Sequence, residues 1–209
     1  LVIDLDAMQR NLQRMAAFAS DRNLRLRPHA KMHKSAIIAK LQIEAGAVGI
    51  CVQKVEEAEA LAAGGVHDIF ISNEVIAPHK LARLAALAKR IRIAVAVDSR
   101  LGVQRLAHAL PSAGASADCF VEVDVGQGRC GVAPATAGAL ALQVAAAGLH
   151  FAGLQAYHGT AQHLRTPAQR GTAIETAVAL ARAAQASVLA TGLVCPLVTG
   201  AGTGSFEFE

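Results

Sequence analysis

An alternation carried through almost the whole chain limits what it can fold into. Short β-branched runs recur at 24–30, 47–53, 68–74, 92–98, 119–125, 150–157 and 194–199. Between them lie Ala/Leu-rich stretches of helical periodicity near 34–45, 54–64, 78–90, 99–110, 134–147 and 167–190. Strands separated by helices pair in parallel, because a parallel connection must cross over the sheet. The expected fold class is therefore α/β, a (β/α)8 TIM-type barrel. Seven strands fall one short of closure, and a barrel left open would expose a long hydrophobic edge, so the eighth strand is expected outside these residues. The start on Leu1, directly in "LVIDL", and the stop in alternating "GSFEFE" fit a fragment of a longer polypeptide. With 209 residues, 53% of them hydrophobic, and no low-complexity tract, one domain over 1–209 is expected. Ahead of the first strand, "LDAMQRNLQRMAAFA" reads as an amphipathic helix, with Asp6 as N-cap and Gln9 in the reciprocal capping position.

Composition excludes several function classes. The net charge of +4 could suggest nucleic acid, but Lys and Arg are dispersed, aromatics make up 3% and there is no Trp. A base-stacking platform is not expected. Cys51, Cys119, Cys130 and Cys195 form no C-x-x-C pair and sit in apolar runs, which reads as buried free thiols in a reducing compartment. No signal peptide and no apolar run long enough to span a bilayer is present, so a cytoplasmic protein without a membrane partner is expected.

Strand parity then locates the chemistry. Successive side chains alternate between faces, and the outer face of a barrel strand must be apolar to pack on helices. In 24–31, Leu24, Leu26, Pro28 and Ala30 share the apolar parity, which turns Arg25, Arg27, His29 and Lys31 inward, with Lys31 at the C-terminal rim. Val121, Val123 and Val125 likewise send Glu122 and Asp124 inward, and Ile93, Val95 and Val97 send Asp98 inward. Val48, Ile50 and Val52 leave Gln53 facing in. Polar groups thus collect at the end where barrel enzymes keep their active sites. Polar surface loops would account for one such strand but poorly for four.

A rim lysine flanked by Arg27, His29, His33 and Lys34 has a use for its neighbours. Nearby cations and desolvation favour the neutral amine, which can attack a carbonyl and form a Schiff base. Lys34 competes for the role, but it lies past the strand, where a solvated lysine is the simpler expectation. Further on, "GQGRCG" (126–131) matches G-x-G-x-x-G, yet no acidic residue occurs between Asp124 and Glu175, so a dinucleotide fingerprint is rejected. What remains is a tight rim loop presenting Arg129 to a ligand oxygen or to Glu122 or Asp124. "TGAGTGS" (199–205) follows the seventh strand, where barrel enzymes commonly bind phosphate through backbone N–H groups and hydroxyls. A Schiff-base lysine and a phosphate cup together suit pyridoxal 5'-phosphate.

"IDLDAMQRNLQRM", "LRLRPHAKMHKS", "DVGQGRCGV", "LQAYHGTAQH" and "VTGAGTGSFE" together resemble the D-threonine aldolases, within the alanine-racemase-like, fold-type III pyridoxal phosphate enzymes. The resemblance implies that Lys31 holds the cofactor as a Schiff base, Arg129 stands near its phenolic oxygen, and Tyr157 and Gln53 line the ring. Thr199, Gly200, Gly202 and Thr203 would form the phosphate loop, and His163 would sit beside the substrate hydroxyl. His29, His33 and His158 are candidates for support; the His29/His33 pair is weak evidence for a metal. The implied reaction is retro-aldol cleavage of a D-3-hydroxy amino acid, D-threonine giving acetaldehyde and glycine, with His163 as base and a divalent metal, Mn²⁺, assisting. In that family a C-terminal β-domain supplies the metal ligands and completes a homodimeric site; that domain is not in this chain, so no metal ligand is assigned within it. Two alternatives stay open: a D-serine or D-threo-3-hydroxyaspartate dehydratase sharing the lysine strand, and a non-catalytic pyridoxal phosphate carrier built as a single barrel.

Overall fold

The structure is a computed structural model that describes residues 2–209. Six parallel strands, β1 (Ile50–Val52), β2 (Asp68–Glu74), β3 (Arg92–Val97), β4 (Asp118–Glu122), β5 (His150–Gln155) and β6 (Val198–Thr199), lie side by side in chain order. Around them run α1 (Leu5–Asp21), α2 (Ala36–Glu44), α3 (Val55–Ala63), α4 (Pro78–Ala88), α5 (Arg100–Ser112), α6 (Ala137–Ala146) and α7 (Pro167–Leu189). The expected βα alternation is present, as an open six-stranded parallel sheet.

The strand expected at 24–30 is extended but forms only an isolated parallel bridge, His29 to Cys51. Val48 N–H donates to Leu26 O at 2.9 Å and Cys51 N–H to Pro28 O at 2.8 Å, while Ala30 N–H donates to Cys51 O at 2.8 Å. Pro28 has no N–H to add between these contacts, so the ladder is interrupted. The segment still sets Lys31 beside the end of β1. The first helix also differs: its N-cap is Asp4, whose Oδ1 accepts from Ala7 N–H at 2.9 Å, and Asp6 lies in the first turn. Asp4 has the extended backbone a cap requires, whereas Asp6 is already helical.

Each face of the sheet has its own core. Ile50, Val52, Ile69, Ile71, Ile93, Val95, Val97, Cys119, Val121 and Leu154 point outward and are buried against helix residues such as Leu61, Leu84, Leu106, Val144 and Val188. Burying each such side chain contributes about 1.5–3 kcal/mol, so this layer carries most of the stability. The inner face is thinner: Cys51, Phe70, Ala94, Ala96, Phe120 and Ala152, with the Phe70 and Phe120 rings 5.0 Å apart. Alanines there leave room above the two rings. Val48, expected to face outward in the first layer, precedes β1 and is exposed.

Candidate active site

The basic cluster around Lys31 separates once folded. Arg27 faces the opposite end of the sheet, its guanidinium 2.7 Å from Asp68 Oδ1 at the start of β2. Lys34 is not helical; it has a left-handed backbone (φ 50°) just before the Ser35 cap of α2, and its Nζ lies 3.3 Å from Glu57 Oε1. Each of these cations therefore has a carboxylate of its own, and neither gathers on Lys31. His29 Nδ1 accepts the Lys31 backbone N–H at 3.2 Å, and burial, followed by the Lys31 charge, pushes its pKa down to about 4. His33 Nδ1 accepts the Ser35 N–H at 3.1 Å, and burial lowers its pKa as well. Both rings stay neutral near pH 7 and hold the backbone on either side of the lysine.

Lys31 itself is exposed, with Nζ 5.9 Å from the centre of the Tyr157 ring. Arg129 Cζ stands 5.8 Å from the same centre, so amine, guanidinium and phenol converge from three separate segments. Arg129 is presented by a loop built on Asp124, whose Oδ1 accepts the N–H groups of Gly126 (2.9 Å) and Gly128 (3.0 Å). Those bonds hold the Asp124 carboxyl below its usual range. Asp124 thus shapes the loop instead of lining the interior. Gly131 has φ 98°, and a Cβ there would lie 2.6 Å from Asp124 N, so this close return requires glycine. Gln53 follows β1, its N–H donating to Glu57 Oε2 at 2.9 Å, and with Asn73 and Glu74 it lines a groove of about 220 Å³.

The glycine-rich segment after β6 closes the third side. Thr199 O accepts the Ala156 N–H at 2.7 Å, and a Cβ at Gly200 would lie 2.6 Å from Ala156 O, so only glycine permits this approach. Ala201 is left-handed (φ 67°), and Gly202 is pressed against the Gln162 amide, while Thr203 is exposed. Gln162 donates to the Tyr157 hydroxyl and accepts the Gly204 N–H at 3.2 Å. It ties the loop to the ring that Lys31 and Arg129 face. His163 follows it at the end of a short 3-10 turn, Gly159–His163, and is exposed.

A model of the alanine racemase N-terminal domain matches residues 3–208. The chain belongs to the alanine racemase N-terminal domain family. It is 47% identical over all its length to a D-threonine aldolase from Arthrobacter sp, covering 56% of that protein, and 42% identical to a 3-hydroxy-D-aspartate aldolase of Paracoccus denitrificans, covering 55% of it. The crystal structure of D-threonine aldolase from Filomicrobium marinum superposes with a TM-score of 0.97 at 47% identity, over 99% of this chain and 57% of the other. The chain spans about half the length of these relatives.

Sequence reasoning missed three parts of this candidate site. Gln162 gave no signal, because a lone glutamine in a loop has none. Ser205, beyond the glycines, is buried; its N–H donates to Gly202 O at 3.0 Å and its hydroxyl to Glu209 Oε1 at 2.6 Å, which braces the loop from behind. The third is an inward cluster of Glu74, Glu122 and Cys130, of which only Glu122 was expected. One ligand-type atom from each of the three lies within 4.8 Å of the others. Burial and Glu122 push the Cys130 thiol up to about 12, it donates to Glu122 Oε1 at 3.0 Å, and Arg129 stands 3.4 Å from the same oxygen.

Proposed function

We propose that this domain binds pyridoxal 5'-phosphate on Lys31 and, within a longer chain, serves an aldolase that cleaves D-threonine and related D-3-hydroxy amino acids to glycine and an aldehyde. The observation that carries this reading is the convergence of the Lys31 amine and the Arg129 guanidinium on Tyr157, beside a glycine loop braced by Gln162. The residues fit the cofactor's chemistry: a solvent-facing amine for its aldehyde, a guanidinium for its phenolic oxygen, and backbone N–H groups with hydroxyls for its phosphate. When bound, pyridoxal phosphate accepts the electron pair left on Cα as the Cα–Cβ bond breaks.

This chain's own residues would do the rest. Lys31 would hold the cofactor; Thr199, Gly200, Gly202 and Thr203 would bind its phosphate, and Tyr157 and Gln53 would orient the ring. His163, exposed on the turn that carries Gln162, would take the β-hydroxyl proton as general base. A divalent metal such as Mn²⁺, held by residues outside this chain, would lower that hydroxyl's pKa. A cytoplasmic homodimer belongs to the same reading.

A second reading is supported by 35% identity, over 97% of the chain, to a D-threo-3-hydroxyaspartate dehydratase from Delftia sp., covering 54% of that protein. One assay separates the two: the full-length protein is given D-threonine with Mn²⁺. Acetaldehyde and glycine are expected; ammonia and 2-oxobutanoate would establish the dehydratase, and cofactor binding without turnover would establish the carrier.

A further inference from the structure

Behind Arg129 the sheet interior holds carboxylates and a thiol that the proposed reaction leaves unused. Glu74 closes β2, Asp98 follows β3, Glu122 closes β4, and Arg129 with Cys130 reach back from the loop beyond it. Glu122, 3% exposed, uses Oε1 to accept from Cys130 Sγ at 3.0 Å and from Arg129 at 3.4 Å. Its other oxygen, Oε2, is buried without a hydrogen-bond partner, and so is Oε1 of Glu74. One carboxylate oxygen from each glutamate and Cys130 Sγ all lie within 4.8 Å of one another.

Buried carboxylate oxygens that lack donors are costly, and two close together also repel in a medium of low dielectric constant. A proton on one of the two carboxyls removes that repulsion and supplies a donor. The charge balance points the same way, since Glu74 lies in the field of two further carboxylates, Glu122 and Asp98, while Arg129 pairs with Glu122. Asp98 is partly engaged by the Gly131 N–H at 3.3 Å, and Lys54 and Lys80 line the groove on the solvent side of Glu74.

We propose that Glu74 and Glu122 share one proton and act together as positioning residues for Arg129, an inference that rests on Arg129 facing the cofactor. With the proton in place, the pair carries one negative charge, and Arg129 can lean on Glu122 while reaching toward Tyr157. When the proton leaves to solvent, a second negative charge draws the guanidinium down onto the pair and away from the cofactor's phenolic oxygen. Burial, then the charges of Glu122 and Asp98, push the Glu74 pKa up to about 7, so the exchange falls in the neutral range.

The test is a pH titration of the visible absorbance of the lysine-bound cofactor in the full-length holoenzyme, paired with infrared difference spectra. Wild type is expected to change with a midpoint near 7, Glu74→Gln to lose that midpoint, and Asp98→Asn to move it to lower pH. Below the midpoint, wild type should show a carboxylic-acid C=O band that Glu74→Gln removes. The same midpoint in Glu74→Gln, a wild type without the acid band, or a stoichiometric metal ion lost in Glu122→Gln would each overturn the shared proton. Wild-type protein with no cofactor absorbance would instead overturn the proposed function and the role of Arg129; the infrared band, which is independent of cofactor, would then decide the shared proton alone.

Discussion

The two ends of the sheet are built from the same residue types and put to opposite uses. Where the strands begin, charges alternate along the row: Arg27 meets Asp68 at 2.7 Å, Arg92 bridges Asp68 (3.7 Å) and Asp118 (2.8 Å), and His150 meets Asp118 at 2.6 Å. Every charge in that row has an opposite neighbour. Where the strands end, Lys31 is exposed, Glu74 and Glu122 each keep an oxygen without a partner, and the Cys130 thiol lends its proton to a carboxylate. A satisfied network contributes stability, whereas groups held short of satisfaction are available to a ligand. This matches the division of α/β barrels into a stabilising end and a reactive one.

The sharpest way to break the comparison is at Lys31. In the full-length protein, Lys31→Ala is expected to abolish visible cofactor absorbance, borohydride trapping and turnover, while Lys34→Ala, which removes only the partner of Glu57, keeps all three. The reverse result would move the reactive amine off the rim. A smaller effect is expected at Gln162. Gln162→Leu cuts both the bond to the Tyr157 hydroxyl and the acceptor for the Gly204 N–H. Loss of about one net hydrogen bond at a binding loop corresponds to roughly tenfold weaker cofactor affinity, measured by equilibrium titration of the apoprotein.

The opposite end should answer differently. Asp118→Asn weakens the ion pair to Arg92 and the contact to His150, whose side chains are mostly exposed, so a stability loss of about 1 kcal/mol by urea unfolding is expected. Cofactor affinity should be unchanged. A Gln162-sized effect on the cofactor would show that the two ends are coupled through the strands.

Much of this architecture can be read from alternation alone. Branched side chains at every second position identify the outer layer, and an alternate position such as Glu122 then falls inside. The same parity places Arg27 on the inner row but cannot tell which end of the strand it serves, because the deciding contact is with Asp68, 41 residues away. Parity also fails past the last ladder residue: Asp124 continues the pattern in sequence, yet the chain has begun to turn and its carboxylate binds the loop's N–H groups. Pro28 shows the converse, a local rule that shortens a strand the pattern would have continued. Glu74 and Cys130 were unreadable because their proximity depends on the parallel register of β2, β3 and β4.

The smallest expected effect tests the reactive end through acid. His29 has its pKa lowered to about 4 by burial and by Lys31, against 6.5 in the unfolded chain, so the folded state binds fewer protons between those values. Its contribution to stability is therefore present above pH 6.5 and is lost as pH falls toward 4. Because the ring is partly solvated, the loss is on the order of 1 kcal/mol instead of the larger figure the full shift would give. His29→Asn retains an acceptor for the Lys31 N–H and removes the titrating group, so urea unfolding over this range should show a flatter acid limb. Glu74 acts with the opposite sign: its raised pKa gives stability that is present below 4.5 and lost as pH rises through about 7. A double variant, His29→Asn with Glu74→Gln, should therefore flatten both limbs. The starting row, whose Asp118 has its pKa held low by Arg92 and His150, should then dominate what pH dependence remains.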